Sequence, residues 1–263
     1  VGGMKPGLFK SGEMQDWQFL GPLIDPDNSM RYSFEDLSGP DFFAIGDKYV
    51  LLFISHTLGA QYYIGSFAND RFVPERHGRM NWPGGGLFAL EQLRDASGRN
   101  IVWGWIVQPR DPITEPDWTP AFGWSGVLSL PRVLSLNAAG ALHIEPAEEL
   151  RSLRLDEVRE DDFVLEADQS RTLRAQGRSL ELQLELAGSP GAAFGVEVFA
   201  SPDGRETTRI AYDPERQELS IDFSRSSLRG PSAIPATIYV PHGVEAPDFA
   251  GEVSEQRAPL ALD

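Results

Sequence analysis

The sequence predicts an all-β protein, a β-propeller domain followed by a β-sandwich domain. Three observations lead to this fold class. Short apolar segments separated by turn residues fill the first 145 residues, only one segment has a helical pattern, and the later segments alternate strictly between apolar and polar residues. Period-2 alternation is typical of strands that are solvated on one face, as in a sandwich.

The first group consists of four apolar segments with residues typical of tight turns between them. Four strands joined in this way predict an antiparallel meander. The segments are "DFFAIG", "KYVLLFISH", "QYYIGSF" and "RFVPER".

The same arrangement then repeats. Repeated four-stranded units of about 50 residues are the signature of propeller blades. Before the first unit the chain resembles the outer half of another blade, and a closed propeller needs at least about four blades. We therefore expect further blades upstream. The repeated segments are "GLFALEQL", "NIVWGWIV", "GVLSLPRVLSL" and "ALHIEP".

A connector helix is predicted over residues 146–154, "PAEELRSLR". Pro146 suits a helix start, and acids in the first turn with arginines near the end suit the helix dipole. The sequence thus divides into a propeller domain at 1–145, a linker helix at 146–154 and a sandwich domain at 155–263. Strands are predicted over "SLELQLELAG", "FGVEVFAS", "TRIAYDP" and "ELSIDFSRSS", and no closing strand is predicted in "EAPDFAGEVSEQRAPLALD".

Composition excludes several classes of function. A net charge of −16 and a pI near 4.6 argue against nucleic acid as a partner. The absence of cysteine excludes disulfides and thiol catalysis. No apolar run approaches the roughly 20 residues that span a bilayer. No convincing metal-ligand spacing occurs, so no metal is expected. The sequence leaves oligomeric state open and suits a soluble protein, bacterial cytoplasmic or secreted, that handles a neutral ligand.

Four stretches of the chain occur in the order "GPDFFAIGDKYVLLFISH", "GRNIVWGWI", "GWSGVLSLPRVLSL" and "EPAEELRSLR". In this order they resemble glycoside hydrolase family 32, the invertases, inulinases and levanases. The most specific is the run from Gly123 to Arg132. The resemblance implies a five-bladed propeller with a sandwich, and retaining hydrolysis of β-fructofuranosyl linkages by an Asp nucleophile and a Glu acid/base. It also implies sucrose or fructan substrates and no cofactor.

The family's acid/base lies in a Trp-Glu-Cys-Pro-Asp motif, three residues before the Asp. Here Pro40 and Asp41 fit this motif, but Ser38 lies three residues before Asp41 and Glu35 lies six before. Either the chain carries a short insertion and Glu35 is the acid, or the acid has been lost and the acidic cluster is a solvated turn. We predict Glu35 as the acid/base, with Glu91 as the alternative.

The family's nucleophile motif, of the Asn-Asp-Pro-Asn-Gly type, does not occur in these 263 residues. The triplet Arg110–Pro112 occurs in a different place from the family's Arg-Asp-Pro, and we interpret it as coincidental. The nucleophile is therefore expected upstream, and this polypeptide alone is expected to be poorly stable and inactive. A non-catalytic carbohydrate-binding protein on the same fold is the alternative function.

The candidate substrate-binding residues are polar or aromatic side chains near the ends of the predicted propeller strands. Three of them have a structural alternative: Asp41 as a strand-start residue that bonds local backbone N–H groups, His56 as a structural histidine, and Trp82 as packing between blades. The candidates are Asp41, His56, Glu91 and Trp82.

Overall fold

The computed structural model describes residues 6–24, 37–55, 59–81, 87–106, 126–189 and 191–228, and the backbone of 255–259. Within these ranges the regular structure consists of β-strands and one short 3₁₀ helix. None of the helical structure described there is long and apolar enough to cross a membrane.

The first four-stranded sheet follows the predicted meander. Its strands pair in sequence order, each antiparallel to the next. The run "VLLF" in the second strand is completely buried, because one face packs on the next sheet and the other on the N-terminal segment. The strands are β3 (Ser38–Ile45), β4 (Lys48–Ser55), β5 (Gly59–Ala68) and β6 (Arg71–Arg79).

The second sheet repeats this arrangement in the order β11-β10-β8-β7. Its strands are β7 (Leu87–Arg94), β8 (Asn100–Ile106), β10 (Arg132–Leu136) and β11 (Leu142–Pro146), with the short β9 (Val127–Leu128) paired to the end of β8. The prediction of two four-stranded antiparallel units is confirmed.

The stretch "GVLSLPRVLSL" was predicted as one strand, and this is wrong in detail. It forms β9 and β10, separated at Ser129–Pro131. Proline has no N–H to donate to a strand ladder, so it interrupts pairing. The Ser129 N–H donates to the Gly104 carbonyl at 2.7 Å, and the Ser129 hydroxyl accepts the Gly104 N–H at 3.0 Å. The break is therefore held against β8.

Alternate residues of β4 supply two apolar layers. Val50, Leu52 and Ile54 pack toward the second sheet, whereas Leu51 and Phe53 pack toward the N-terminal segment. That segment contains an antiparallel pair, β1 (Gly7–Lys10) and β2 (Gln18–Pro22), followed by the buried residues Leu23 and Ile24. The layers therefore stack face to face, as blades do in a propeller.

The predicted linker helix is a 3₁₀ helix over Glu148–Leu153 rather than an α-helix from residue 146. Pro146 instead ends β11, where it pairs with Arg132. A segment of six residues is too short to repay the cost of α-helix nucleation, and 3₁₀ turns commonly serve as connectors.

The C-terminal region contains one described antiparallel sheet, ordered β12 (Phe194–Val198), β13 (Thr208–Asp213), β14 (Glu218–Asp222) and β15 (Glu255–Pro259). Two predictions are wrong here. Residues 179–188 do not form a strand. Conversely, the last part of the chain does supply a closing strand, because Asp222 of β14 pairs with Glu255 of β15.

Candidate active site

The structure describes two of the five predicted site residues, Asp41 and Glu91. Glu35, His56 and Trp82 lie outside the described residues, as does the triplet Arg110–Pro112.

A bulge in β3 leads directly into Asp41. Ser38 pairs with Ile54 and Asp41 pairs with Leu52, so three steps along β3 oppose two along β4. Gly39 lies inside the bulge with φ of +55°, a conformation that glycine adopts without steric cost. Bulges bend a strand and re-aim the side chains that follow them. Asp41 is partly buried and is the first paired residue after the β3 bulge.

A second bulge occurs in β7 and leads into Glu91. Phe88 pairs with Trp105 and Glu91 pairs with Trp103, so one extra residue is again inserted. Ala89, inside the bulge, has φ of +46°. Such a conformation is unfavourable for a residue with a Cβ and persists only when its surroundings hold it. The Glu91 side chain is exposed.

The two bulged strands are joined by a hydrogen bond. The backbone N–H of Gln92 donates to Oδ2 of Asp41 at 2.6 Å, across 51 residues of sequence. β3 and β7 are edge strands of their sheets, so this bond marks where the two sheet edges converge. The structure therefore brings the Asp41 carboxylate next to the Glu91–Gln92 backbone.

The electrostatic environment of Asp41 reflects this position. Burial raises the pKa of the Asp41 carboxyl above its usual value, and the negative charge of Glu91 raises it as well. The Gln92 N–H acts in the opposite direction and lowers the pKa, because it stabilises the ionised form. Two acids that were proposed separately from the sequence thus influence each other.

Two further polar residues at this junction were missed by sequence reasoning. The Gln92 side chain donates from Nε2 to Oδ1 of Asn100 at 2.8 Å, and Nδ2 of Asn100 donates to the Ala44 carbonyl at 3.2 Å. Asn100 is buried. The available signal was an amide side chain at the start of the apolar strand "NIVWGWI".

Ser38 lies three residues before Asp41, the spacing at which the family motif carries its acid if the chain has no insertion. It lies at the start of β3, partly buried and before the bulge. Its hydroxyl has a far higher pKa than a carboxyl, so Ser38 is not an equivalent proton donor. Among the described residues no group of three or more His, Asp or Glu side chains is arranged to hold a metal.

Packed antiparallel sheets followed by a separate antiparallel sheet agree with a β-propeller joined to a β-sandwich. The model for the glycosyl hydrolases family 32 N-terminal domain matches residues 3–146, and the model for the glycosyl hydrolases family 32 C terminal matches residues 149–258. The chain belongs to glycoside hydrolase family 32.

Individual relatives agree with this assignment. A sucrose-6-phosphate hydrolase of Vibrio alginolyticus is 33% identical over 196 residues, which cover 69% of this chain and 37% of the relative. A sucrose-6-phosphate hydrolase of Zymomonas mobilis is 24% identical over 233 residues, covering 83% of this chain and 44% of the relative. The chain thus spans less than half the length of these relatives.

Solved structures show the same fold. A β-fructofuranosidase of Bombyx mori superimposes with a TM-score of 0.58 at 19% identity, covering 97% of this chain and 60% of that one. Fructan 1-exohydrolase IIa of Cichorium intybus gives a TM-score of 0.58 at 17% identity, covering 97% of this chain and 54% of that one. The predicted fold class, propeller followed by sandwich, is confirmed.

Proposed function

We propose that this protein is a retaining glycoside hydrolase acting on β-fructofuranosyl linkages in sucrose, inulin or levan-type substrates. The observation that carries the proposal is family membership along both halves of the chain. The names of the relatives, sucrose-6-phosphate hydrolase and β-fructofuranosidase, point to the same substrate class.

Retaining hydrolysis requires two carboxyl groups roughly 5–5.5 Å apart, one as nucleophile and one as acid/base. We propose Glu35 as the acid/base, with Glu91 as the alternative. The nucleophile is an Asp supplied by a propeller segment other than these 263 residues, since they contain no motif of the family's type. An acid/base must hold its proton near neutral pH, and a partly dry site favours this. Burial raises the pKa of the Asp41 carboxyl, so the position where the two sheet edges converge is partly desolvated at Asp41 itself.

The substrate-binding residues in this proposal are Asp41, His56, Glu91 and Trp82. Oδ2 of Asp41 already accepts the Gln92 N–H, so its Oδ1 is the atom assigned to a sugar hydroxyl. Glu91 is exposed beside it and adds a second set of acceptors. Carboxylates accept hydrogen bonds from hydroxyl groups without needing a charged ligand. This suits a neutral sugar and the strongly acidic chain.

The experiment compares Glu35→Gln and Glu91→Gln in the full-length protein, with sucrose and inulin as substrates. Loss of the acid/base is expected to lower turnover by about 10²–10⁴-fold. Substrates with a good leaving group need less protonation, so their turnover is expected to fall less. Glu145→Gln, an exposed acid on β11, is the matched control. Normal turnover in both test variants would remove both acids from the mechanism.

The alternative function is a carbohydrate-binding protein without catalysis. The observation that favours it is the presence of a serine, Ser38, three residues before Asp41, which is the spacing at which the family motif has its acid. Sugar binding by the full-length protein with no hydrolysis of any fructoside would support this alternative over the hydrolase.

A further inference from the structure

The hydrogen bond between Asp41 and Gln92 is a polar contact at the interface of the first two sheets. Most of that interface is apolar, but here an ionisable oxygen accepts a backbone N–H at 2.6 Å. Hydrogen bonds to a charged acceptor are shorter and stronger than neutral ones. The bond therefore fixes the backbone of β7 at one residue, relative to β3.

That residue directly follows Glu91 and lies just beyond the β7 bulge. The bulge passes through Ala89 at φ of +46°, which the surroundings must hold in place. If the register of β7 slipped by one residue, each side chain after the bulge would move to the opposite face. A fixed Gln92 N–H thus determines which face carries the Glu91 carboxylate.

The amide side chains of the junction close a ring of hydrogen bonds. Gln92 donates to Asn100 of β8, and Asn100 donates to the Ala44 carbonyl. Ala44 lies three residues beyond Asp41 on the same strand, so the ring begins and ends on β3. A closed ring resists both sliding and separation of the two edges, because either motion breaks more than one bond.

We propose that Asp41 is a positioning residue for Glu91, acting through the Gln92 backbone N–H. This inference rests on the proposed function, in which Glu91 binds the sugar or serves as the acid. Oδ2 holds the β7 backbone, and the Glu91 side chain is thereby presented at the converging edges of β3 and β7.

A double-mutant cycle in the full-length protein tests the proposal. Asp41→Ala is expected to lower kcat/KM for sucrose by about ten-fold in the wild-type background, and by a smaller factor when Glu91→Gln is already present, because only the contact of Oδ1 with the sugar is then left to lose. Asp41→Asn keeps an oxygen acceptor, so its kcat/KM should fall less than that of Asp41→Ala. Asp47→Ala, an exposed acid on the β3–β4 turn, is the control that should leave activity unchanged. The proposal would be overturned if the fold-loss in kcat/KM of the double variant equalled the product of the fold-losses of the two single variants.

Hydrogen exchange at the Gln92 amide provides a readout that needs no activity. Its exchange rate is expected to rise by about ten-fold or more in Asp41→Ala and to rise less in Asp41→Asn. An unchanged rate in Asp41→Ala would overturn the inference. If the wild-type protein hydrolyses no fructoside, the proposed function fails, and the exchange result alone then decides whether Asp41 holds β7.

Discussion

Arg99, in the turn between β7 and β8, forms an ion pair with Glu149 of the 3₁₀ helix. Nη2 of Arg99 lies 2.6 Å from Oε1 of Glu149, and Nη1 lies 3.3 Å from Oε2. Asp95 orients the same guanidinium through Nε at 2.7 Å. The helix that follows the propeller is thereby joined to the second sheet by a bidentate contact.

Replacing Arg99 by Ala should loosen this contact with little effect on global stability. Arg99 is partly exposed and Glu149 is exposed, and ion pairs in such positions contribute little and are screened by salt. Hydrogen exchange should rise locally over residues 148–153, and the melting temperature should fall slightly at low salt and less at high salt. The control is Arg216→Ala, which removes an exposed arginine in the C-terminal region. If Arg216→Ala raised hydrogen exchange at residues 148–153 as much as Arg99→Ala does, the prediction would be contradicted.

Gly78 on β6 is expected to be intolerant of any side chain. A Cβ at this position would lie 2.4 Å from Cζ of Tyr62, its cross-strand partner. Tyr62 packs against the core between the sheets and has little room to move. We expect Gly78→Ala to lower the free energy of unfolding by about 1–3 kcal/mol, as overpacking does. Gly12→Ala, with open space around it, should be near neutral in the same denaturation experiment.

The local parts of this fold were predictable, whereas the contacts between distant segments were not. The meander of β3–β6 follows from alternation and from turn residues, which act over a few residues. The bond from Gln92 to Asp41 spans 51 residues, and no local pattern encodes it. The bulge at Ala89 also lacks a signal, because a non-glycine residue gives no indication of a positive φ.

The incorrect predictions have related causes. Residues 179–188 alternate well, but alternation defines only a face and does not provide a neighbouring strand. Leu180 and Leu186 are about half exposed, at 49% and 48%. The strand Glu255–Pro259 was missed because its sequence, "EQRAP", is polar and ends in proline, which suits an edge strand and resembles a loop.

Asn100→Ala should lower the free energy of unfolding by more than the loss of one hydrogen bond would. Asn100 is only 5% exposed, accepts a hydrogen bond from Gln92 and donates one to Ala44. The substitution leaves the partly buried amide of Gln92 and the partly buried carbonyl of Ala44 without these partners. A fully buried group left in this way costs about 1–3 kcal/mol, and that is the upper limit for each of these two. Gln183→Ala, in which an exposed amide is removed, is the control and should change the unfolding midpoint little. Equal midpoints for the two variants would contradict the prediction.

His77 on β6 makes stability depend on pH. Its ring lies 4.6 Å from the ring of the fully buried Tyr63. Burial lowers the pKa of His77 below its ordinary value of 6.5, and the positive charge of Arg79 lowers it further. As the pH falls, His77 is therefore protonated near pH 6.5 in the unfolded chain, whereas in the folded protein it stays neutral until a lower pH. Since the unfolded state binds more protons, the free energy of unfolding falls as the pH drops below about 6.5 and levels off below the folded pKa.

This pH dependence can be assigned to His77 by substitution. His77→Phe retains an aromatic ring against Tyr63 and removes the titrating group. The difference in unfolding free energy between wild type and His77→Phe should therefore vary with pH, and wild type should lose stability relative to the variant from pH 7.5 to 5. His143→Phe is the control, because that histidine is exposed on β11. A difference between wild type and His77→Phe that is constant over this range would show that His77 titrates alike in the folded and unfolded states.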